Sequence, residues 1–285
     1  MAAMKLVKAI ARLAGVGGRR GPHAGARILM FHGTSRRQAG ELRRQLAYLK
    51  RRFRILPLEA FAGGEPAPDA LALTFDDGLR NNVTVAYPIL KALDLPATFF
   101  VCPGLIEAGA WLWNHEARQR LRRLGRAARE VEATVEWMKT LELAARQEAE
   151  RRLRDMTAGF VPSAAEREAF DVASWDELAA LDPALVTVGS HTLSHPILTK
   201  LAPAEAQAEI CDSRALIEQR LGRPAEFFCY PNGDVDPVAR ESARRRYRAA
   251  VTAQRGSVGP GCDRFMLPRW AAPRGLLRLA ARIDP

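Results

Sequence analysis

Apolar and polar positions follow two rhythms along this chain. Short apolar runs at Arg27 to His32, Phe53 to Leu58, Ala70 to Asp76, Ala97 to Cys102, Leu185 to Ser190, Glu226 to Tyr230 and Arg248 to Thr252 predict seven strands. Between them, helical periodicity predicts helices over about Ala39 to Arg51, Asn82 to Leu93, Ser174 to Leu181, Pro203 to Leu221 and Asp236 to Arg246. Strands separated by crossover helices imply a parallel sheet, and seven of them fit a barrel-like α/β fold.

The rhythm breaks from about Trp111 to Asp171, a stretch rich in Arg, Glu and Ala that closes on Gly159-Phe160-Val161-Pro162. It reads as a helical insertion between two barrel strands. Its Arg118, Arg120, Arg122, Arg123, Arg126 and Arg129 suit either a phosphate-binding face or a solvated face paired with Glu130, Glu132 and Glu136. Before the barrel, Leu6, Ile10 and Leu13 recur at helical spacing among Lys5, Lys8 and Arg12. Residues 1–26 are therefore expected to be a basic amphipathic leader, and residues 27–285 the domain proper. The leader suits an anionic membrane surface, or packing on the domain.

Composition narrows the classes. With 48% apolar and 26% charged residues the chain is ordinary for a globular protein, and no apolar stretch approaches the roughly 18 residues of a spanning helix. A net charge of +11 points to an anionic partner or surface, or to arginines at solvated positions. No series of stacking aromatics accompanies it, so no specific nucleic-acid site is expected. The four cysteines form no C-x-x-C pair, which favours a reducing compartment. Lys8 and Arg12 interrupt what would have to be the apolar core of a signal peptide. The expected location is the cytoplasm, with possible peripheral contact at the inner face of the membrane.

Two constellations carry chemistry. Leu73-Thr74-Phe75-Asp76-Asp77-Gly78 places adjacent carboxylates where an apolar strand stops, and the carboxyl ends of parallel strands are where sites are built. Their mutual repulsion would be relieved by a cation that leaves one free as a base. Ser190-His191-Thr192-Leu193-Ser194-His195-Pro196 follows another strand, with two imidazoles four residues apart, as on one face of a helical turn. One Asp and two His make a three-ligand set with open positions, the layout of a hydrolytic rather than a structural metal site.

Thr74-Phe75-Asp76-Asp77-Gly78 and His191-Thr192-Leu193-Ser194-His195 resemble the first two motifs of the polysaccharide deacetylases, the NodB-homology family, in the family's order. The resemblance extends more loosely from about Ile28 to Trp270, the insertion excepted. It implies a deformed (β/α)7-type barrel, a divalent metal that is often zinc, and hydrolysis of an N-acetyl or sometimes O-acetyl group. It implies Asp76 as catalytic base and Asp77, His191 and His195 as metal ligands. The family's third motif, Arg-x-Pro-Tyr-Gly, is matched by Cys229-Tyr230-Pro231-Asn232-Gly233, with two of its side chains changed. The backbone N–H of Asn232 is expected to serve the oxyanion, and Tyr230 to orient the site. Arg269 in Leu267-Pro268-Arg269-Trp270 is expected to replace the missing Arg from another strand, with Trp270 beside it on the pocket wall. No His follows His195, so the late His that supplies the family's general acid is absent. Ile28-Leu29-Met30-Phe31-His32-Gly33 resembles members that carry this group on the first strand, which nominates His32.

The expected substrate is an N-acetylated sugar, in a polysaccharide or a lipid-linked glycan. The competing reading is a barrel that binds such a sugar without turning it over. His115 opens the insertion, and its aromatic neighbours Trp111 and Trp113 are expected either to stack on sugar rings or to staple the insertion to the barrel.

Overall fold

A computed structural model describes residues 25–63 and 66–283; the leader proposed over Leu6 to Leu13 lies outside them. The strands are β1 (Arg27–Phe31), β2 (Arg54–Ile55), β3 (Ala70–Phe75), β4 (Ala97–Val101), β5 (Val186–Ser190), β6 (Phe227–Cys229), β7 (Ala249–Val251) and β8 (Trp270–Ala271). They form one curled parallel sheet in the order β7-β6-β5-β4-β3-β1-β8, with β2 paired to β3. Each of the seven apolar runs contains a strand. The eighth has only two residues and no apolar run to announce it.

That eighth strand matters for closure. Leu267 bridges Val251 of β7 in parallel, and Trp270 pairs with Leu29 of β1. Thr252 N–H donates to Leu267 O at 2.9 Å, and Arg269 N–H to Gln254 O at 2.8 Å. One extended segment, 267–271, thus joins the two edges of the sheet. Backbone donors left open at an edge would otherwise need water or a partner.

Strand alternation sorts the core into two faces. Ile28, Ala70, Ala72, Phe100, Phe227, Cys229, Val251 and Leu267 form one apolar cluster inside the curl. Their strand neighbours Leu29, Leu71, Leu73, Phe99, Val101, Val186 and Val188 pack instead against helices through Leu42, Leu46, Leu90 and Ile217. The inward phase of β1 and β3, continued toward their carboxyl ends, carries Met30, His32, Thr74 and Asp76 to the mouth of the barrel.

Between β4 and β5, helices Trp113–Arg123, Ala128–Thr140 and Leu143–Met156 enclose a core built on Trp113, Leu121, Val131, Val135, Met138 and Leu153, which Ile197 joins from beyond β5, and a short helix Ala164–Phe170 follows. Arg118 pairs with Glu132, and Arg120 and Arg154 share Glu116, so part of the arginine series is paired within the insertion. Among the described residues, no helix is long and apolar enough to cross a membrane.

Candidate active site

β3 is buried at every position and ends where Asp76 N–H donates to Phe31 O at 2.9 Å. The chain then reverses through Asp77 (φ 74°) and Gly78 (φ 62°). A Cβ on Gly78 would lie 3.0 Å from Val101 Cα, so both the dihedral and the space call for glycine. This turn separates the two carboxylates. Asp76 faces a guanidinium, and Asp77 faces imidazoles.

Arg269, 1% exposed, donates from Nη1 to Asp76 Oδ1 and from Nη2 to Asp76 Oδ2, both at 2.7 Å. Its remaining donors are also placed: Nε on Thr252 O at 2.8 Å, Nη1 on Thr74 Oγ1 at 3.0 Å and Nη2 on Cys229 Sγ at 3.0 Å. Cys229 occupies the position that would carry the arginine of the third motif, and the guanidinium from the closing segment lies against its sulfur. Burial opposes ionisation of Asp76, but the charge and hydrogen bonds of Arg269 outweigh it and hold the carboxyl well below its ordinary range.

His191 N–H donates to Val101 O at 2.8 Å, and its Nδ1 lies 2.7 Å from Cys229 O. A carbonyl partner fixes the proton on Nδ1 and leaves the Nε2 lone pair, 3.8 Å from Asp77 Oδ1, as a ligand. His195 brings its Nε2 to 3.6 Å from the same oxygen. The two imidazoles do meet, ring centroids 4.7 Å apart, but not on a helical turn. The segment is irregular, reversed at Thr192 (φ 67°) and His195 (φ 58°), with His195 N–H donating to Thr192 Oγ1 at 3.0 Å. Ser194, between them, is held through its N–H and hydroxyl by Glu209. Of the five non-glycine residues with positive φ among the described residues, only Asp94, a helix cap, lies away from the site; Asp77, Thr192, His195 and Asn232 are all on its loops.

The donor set fits a divalent cation. Ligand atoms of Asp77, His191 and His195 lie within 4.8 Å of one another, as ligands about 2.0–2.2 Å from a shared ion would. Burial depresses both imidazoles, His195 to about 3, so they remain neutral and able to ligate. A second triplet, Asp76, His191 and Cys229, is equally close but unsuited. Burial raises the Cys229 thiol, keeping it protonated, and Asp76 is already committed to Arg269.

A cavity of about 220 Å³ gathers Asp76, Asp77, His191, His195, Asn232 and Arg269, with His32 in its wall. Asn232 is left-handed (φ 54°) on the turn Pro231–Gly233. A Cβ on Gly233 would fall 2.5 Å from Ala253 N. One expected site residue lies elsewhere, and a second reaches the cavity with its ring directed away. Trp270 does not line this cavity: next to an inward Arg269 on an extended segment it must face the other way, and it packs on the outer core with Arg255 over its ring at 4.2 Å. Tyr230 borders the cavity, but its ring lies with Phe228 in the outer layer and its hydroxyl donates to Phe265 O at 3.2 Å.

The insertion contributes what the motifs did not reveal. Asn114 and His115 line the cavity, and His115 Nε2 lies 3.9 Å from Asp77 Oδ2. Trp113 is the staple: its Nε1–H donates to His195 O at 3.1 Å, while Trp111 Nε1–H donates to Asp171 Oδ1 at 2.7 Å.

The polysaccharide deacetylase family model matches residues 63–248, more than half of the chain. The chain belongs to the polysaccharide deacetylase family. Members of this family are hydrolases acting on carbon–nitrogen bonds other than peptide bonds. A relative, YxkH of Bacillus subtilis (strain 168), whose name places it among the polysaccharide deacetylases, is 19% identical over 213 residues, covering 74% of this chain. The chain spans 54% of that relative's length. The deacetylase PplD of Streptococcus pyogenes, solved in complex with acetate, shares the fold at a TM-score of 0.62 and 20% identity, over 92% of this chain and 99% of that one. IcaB from Ammonifex degensii gives the same score and identity over 92% and 97%. The curled parallel sheet is therefore the NodB-like deacetylase barrel.

Proposed function

We propose that this polysaccharide deacetylase hydrolyses the acetamide of an N-acetylated sugar, releasing acetate and the free amine. The observation that carries the reading is the division of labour between adjacent carboxylates: Asp76 clasped by Arg269, Asp77 grouped with His191 and His195, all in one cavity.

In this reading Asp77, His191 and His195 hold a divalent cation, zinc being the first choice for imidazole and carboxylate donors. Such an ion supplies positive charge that polarises an acyl oxygen and acidifies a neighbouring water. Asp76, kept ionised by Arg269, accepts the proton of the attacking water. The Asn232 N–H stabilises the oxyanion formed as water adds to the carbonyl carbon. His32 gives the departing nitrogen its proton as the C–N bond breaks. Family membership and a complete base-and-ligand set favour turnover over a barrel that only binds sugar.

The test is acetate release from a panel of N-acetylated glycans and lipid-linked sugars. Native protein, chelated protein, chelated protein restored with zinc, and Asp76→Asn are compared. Release that vanishes with chelator, returns with zinc and is missing in the variant is the expected result. Silence from zinc-loaded native protein across the panel overturns the reading. The net charge of +11 further supports contact with an anionic membrane surface, which predicts stronger binding to vesicles containing phosphatidylserine than to phosphatidylcholine alone.

A further inference from the structure

Every histidine among the described residues lines the same cavity: His32, His115, His191 and His195. Three have parts in the reaction above. His115 does not, and its surroundings are unlike those of a structural histidine. A histidine buried for packing normally has its ring nitrogens satisfied. Here Nδ1 is buried without a hydrogen-bond partner, and Nε2 stops 3.9 Å from Asp77 Oδ2, beyond hydrogen-bond reach.

The ring is nevertheless held in place. It packs at a tilt of 48° against Phe170, centroids 5.0 Å apart, and Phe170 in turn packs against Trp111 at 5.4 Å. The helix Trp113–Arg123 that carries it is bonded through Trp113 to the backbone of His195. Apolar contacts thus fix an imidazole whose Nε2 borders the cavity and has no protein partner at bonding distance. His191 and His195 approach Oδ1 of Asp77, whereas His115 approaches Oδ2. It also falls outside the group of ligand atoms mutually within 4.8 Å. Two ligands on opposite sides of an ion with bonds of about 2.1 Å stand only about 4.2 Å apart, so His115 is placed beside the ligand set rather than in it.

We propose that His115 is a specificity-determining contact supplied by the insertion. Its Nε2–H donates a hydrogen bond to a hydroxyl or carbonyl oxygen of the N-acylated sugar, beside the Asp77 oxygen that His191 and His195 do not approach. Asn114 and His115 are the only described residues between β4 and β5 that line the cavity, so the insertion reads the substrate through this one turn. The inference rests on the deacetylase reading above.

The experiment uses zinc-loaded full chain, with N,N′,N″-triacetylchitotriose as the sugar and 4-nitrophenyl acetate as an acyl donor without one. Native protein, His115→Ala and His115→Gln are compared for KM, kcat and zinc affinity. Loss of one neutral hydrogen bond predicts a KM for the trisaccharide raised about 3- to 10-fold in His115→Ala, with kcat changed less, and partial recovery in His115→Gln, which keeps an N–H donor. The loss on the trisaccharide should exceed that on the aryl ester. Equal losses on both substrates, an unchanged trisaccharide KM, or zinc affinity weakened more than tenfold each overturn the assignment. If native protein cleaves the ester but neither binds nor cleaves the trisaccharide, the sugar contact falls while the hydrolase stands. If it cleaves neither, the deacetylase reading falls first.

Discussion

Arg269 meets Asp76 with both arms of its guanidinium, two hydrogen bonds of 2.7 Å between residues 193 apart in sequence. The segment that closes the sheet therefore also sets the charge state of Asp76, the proposed base. Removing one member of a buried ion pair leaves the other desolvated and unpaired, at a cost of roughly 3–5 kcal/mol. Arg269→Met should lower stability by about that amount in urea unfolding. Arg269→Lys, which keeps the charge but not the paired geometry, should fall between.

The same pair gives a pH prediction. The folded-state pKa of Asp76 lies below its ordinary 3.8 because Arg269 outweighs burial. A depressed carboxylate contributes stability that is complete above the unfolded value and is lost as pH falls through the folded one. In native protein Asp76 therefore stays ionised through the acidic range. Without Arg269, burial alone pushes the carboxyl up, and the acid limb of kcat/KM should move to higher pH in any Arg269 variant that folds. An acid limb that stays where it was would show that Arg269 does not tune this group.

Base and ligands should separate cleanly. Asp76→Asn should reduce kcat by about 10²–10⁴-fold while zinc affinity, measured by titration with a competing chelator, is little changed. His195→Ala should weaken zinc binding by more than the 10- to 100-fold typical of losing a residue that merely supports a ligand. Zinc affinity lost in Asp76→Asn and kept in His195→Ala would reverse the assignment.

His32 should matter in proportion to the leaving group. An amine leaves as a neutral species only if it is protonated, whereas 4-nitrophenolate needs no proton. His32→Gln should therefore slow acetamide hydrolysis by about 10²–10⁴-fold and spare 4-nitrophenyl acetate by comparison. Equal losses on the two would argue against His32 as the acid.

Gly233 tests the oxyanion turn. At φ 80°, and with a Cβ that would sit 2.5 Å from Ala253 N, alanine is both strained and obstructed there. Gly233→Ala should cost more than about 1 kcal/mol in thermal unfolding, and should lower kcat by displacing the neighbouring Asn232 N–H.

By itself the sequence determined what local rules can decide. Seven apolar runs announced seven strands, because a strand buried on both faces, as all of these but the two-residue β2 are in the main, is written in apolar residues. Asp76-Asp77-Gly78 and His191 to His195 were legible because each follows such a run at the end of the barrel where sites form. His32 and Arg269 were legible only as resemblance and conjecture. Tertiary structure decided the rest, because it depends on groups brought together by closure rather than by spacing. The closing segment that ends in a two-residue strand with no apolar signature puts Arg269 on Asp76, and alternation along it turns Trp270 away from the cavity. Left-handed backbone at Thr192 and His195, invisible to a helical template, lets the two imidazoles meet. His115 lies far along the chain from both motifs, and the docking of Trp113 onto the His195 loop, with the packing of Phe170, carries it to Asp77.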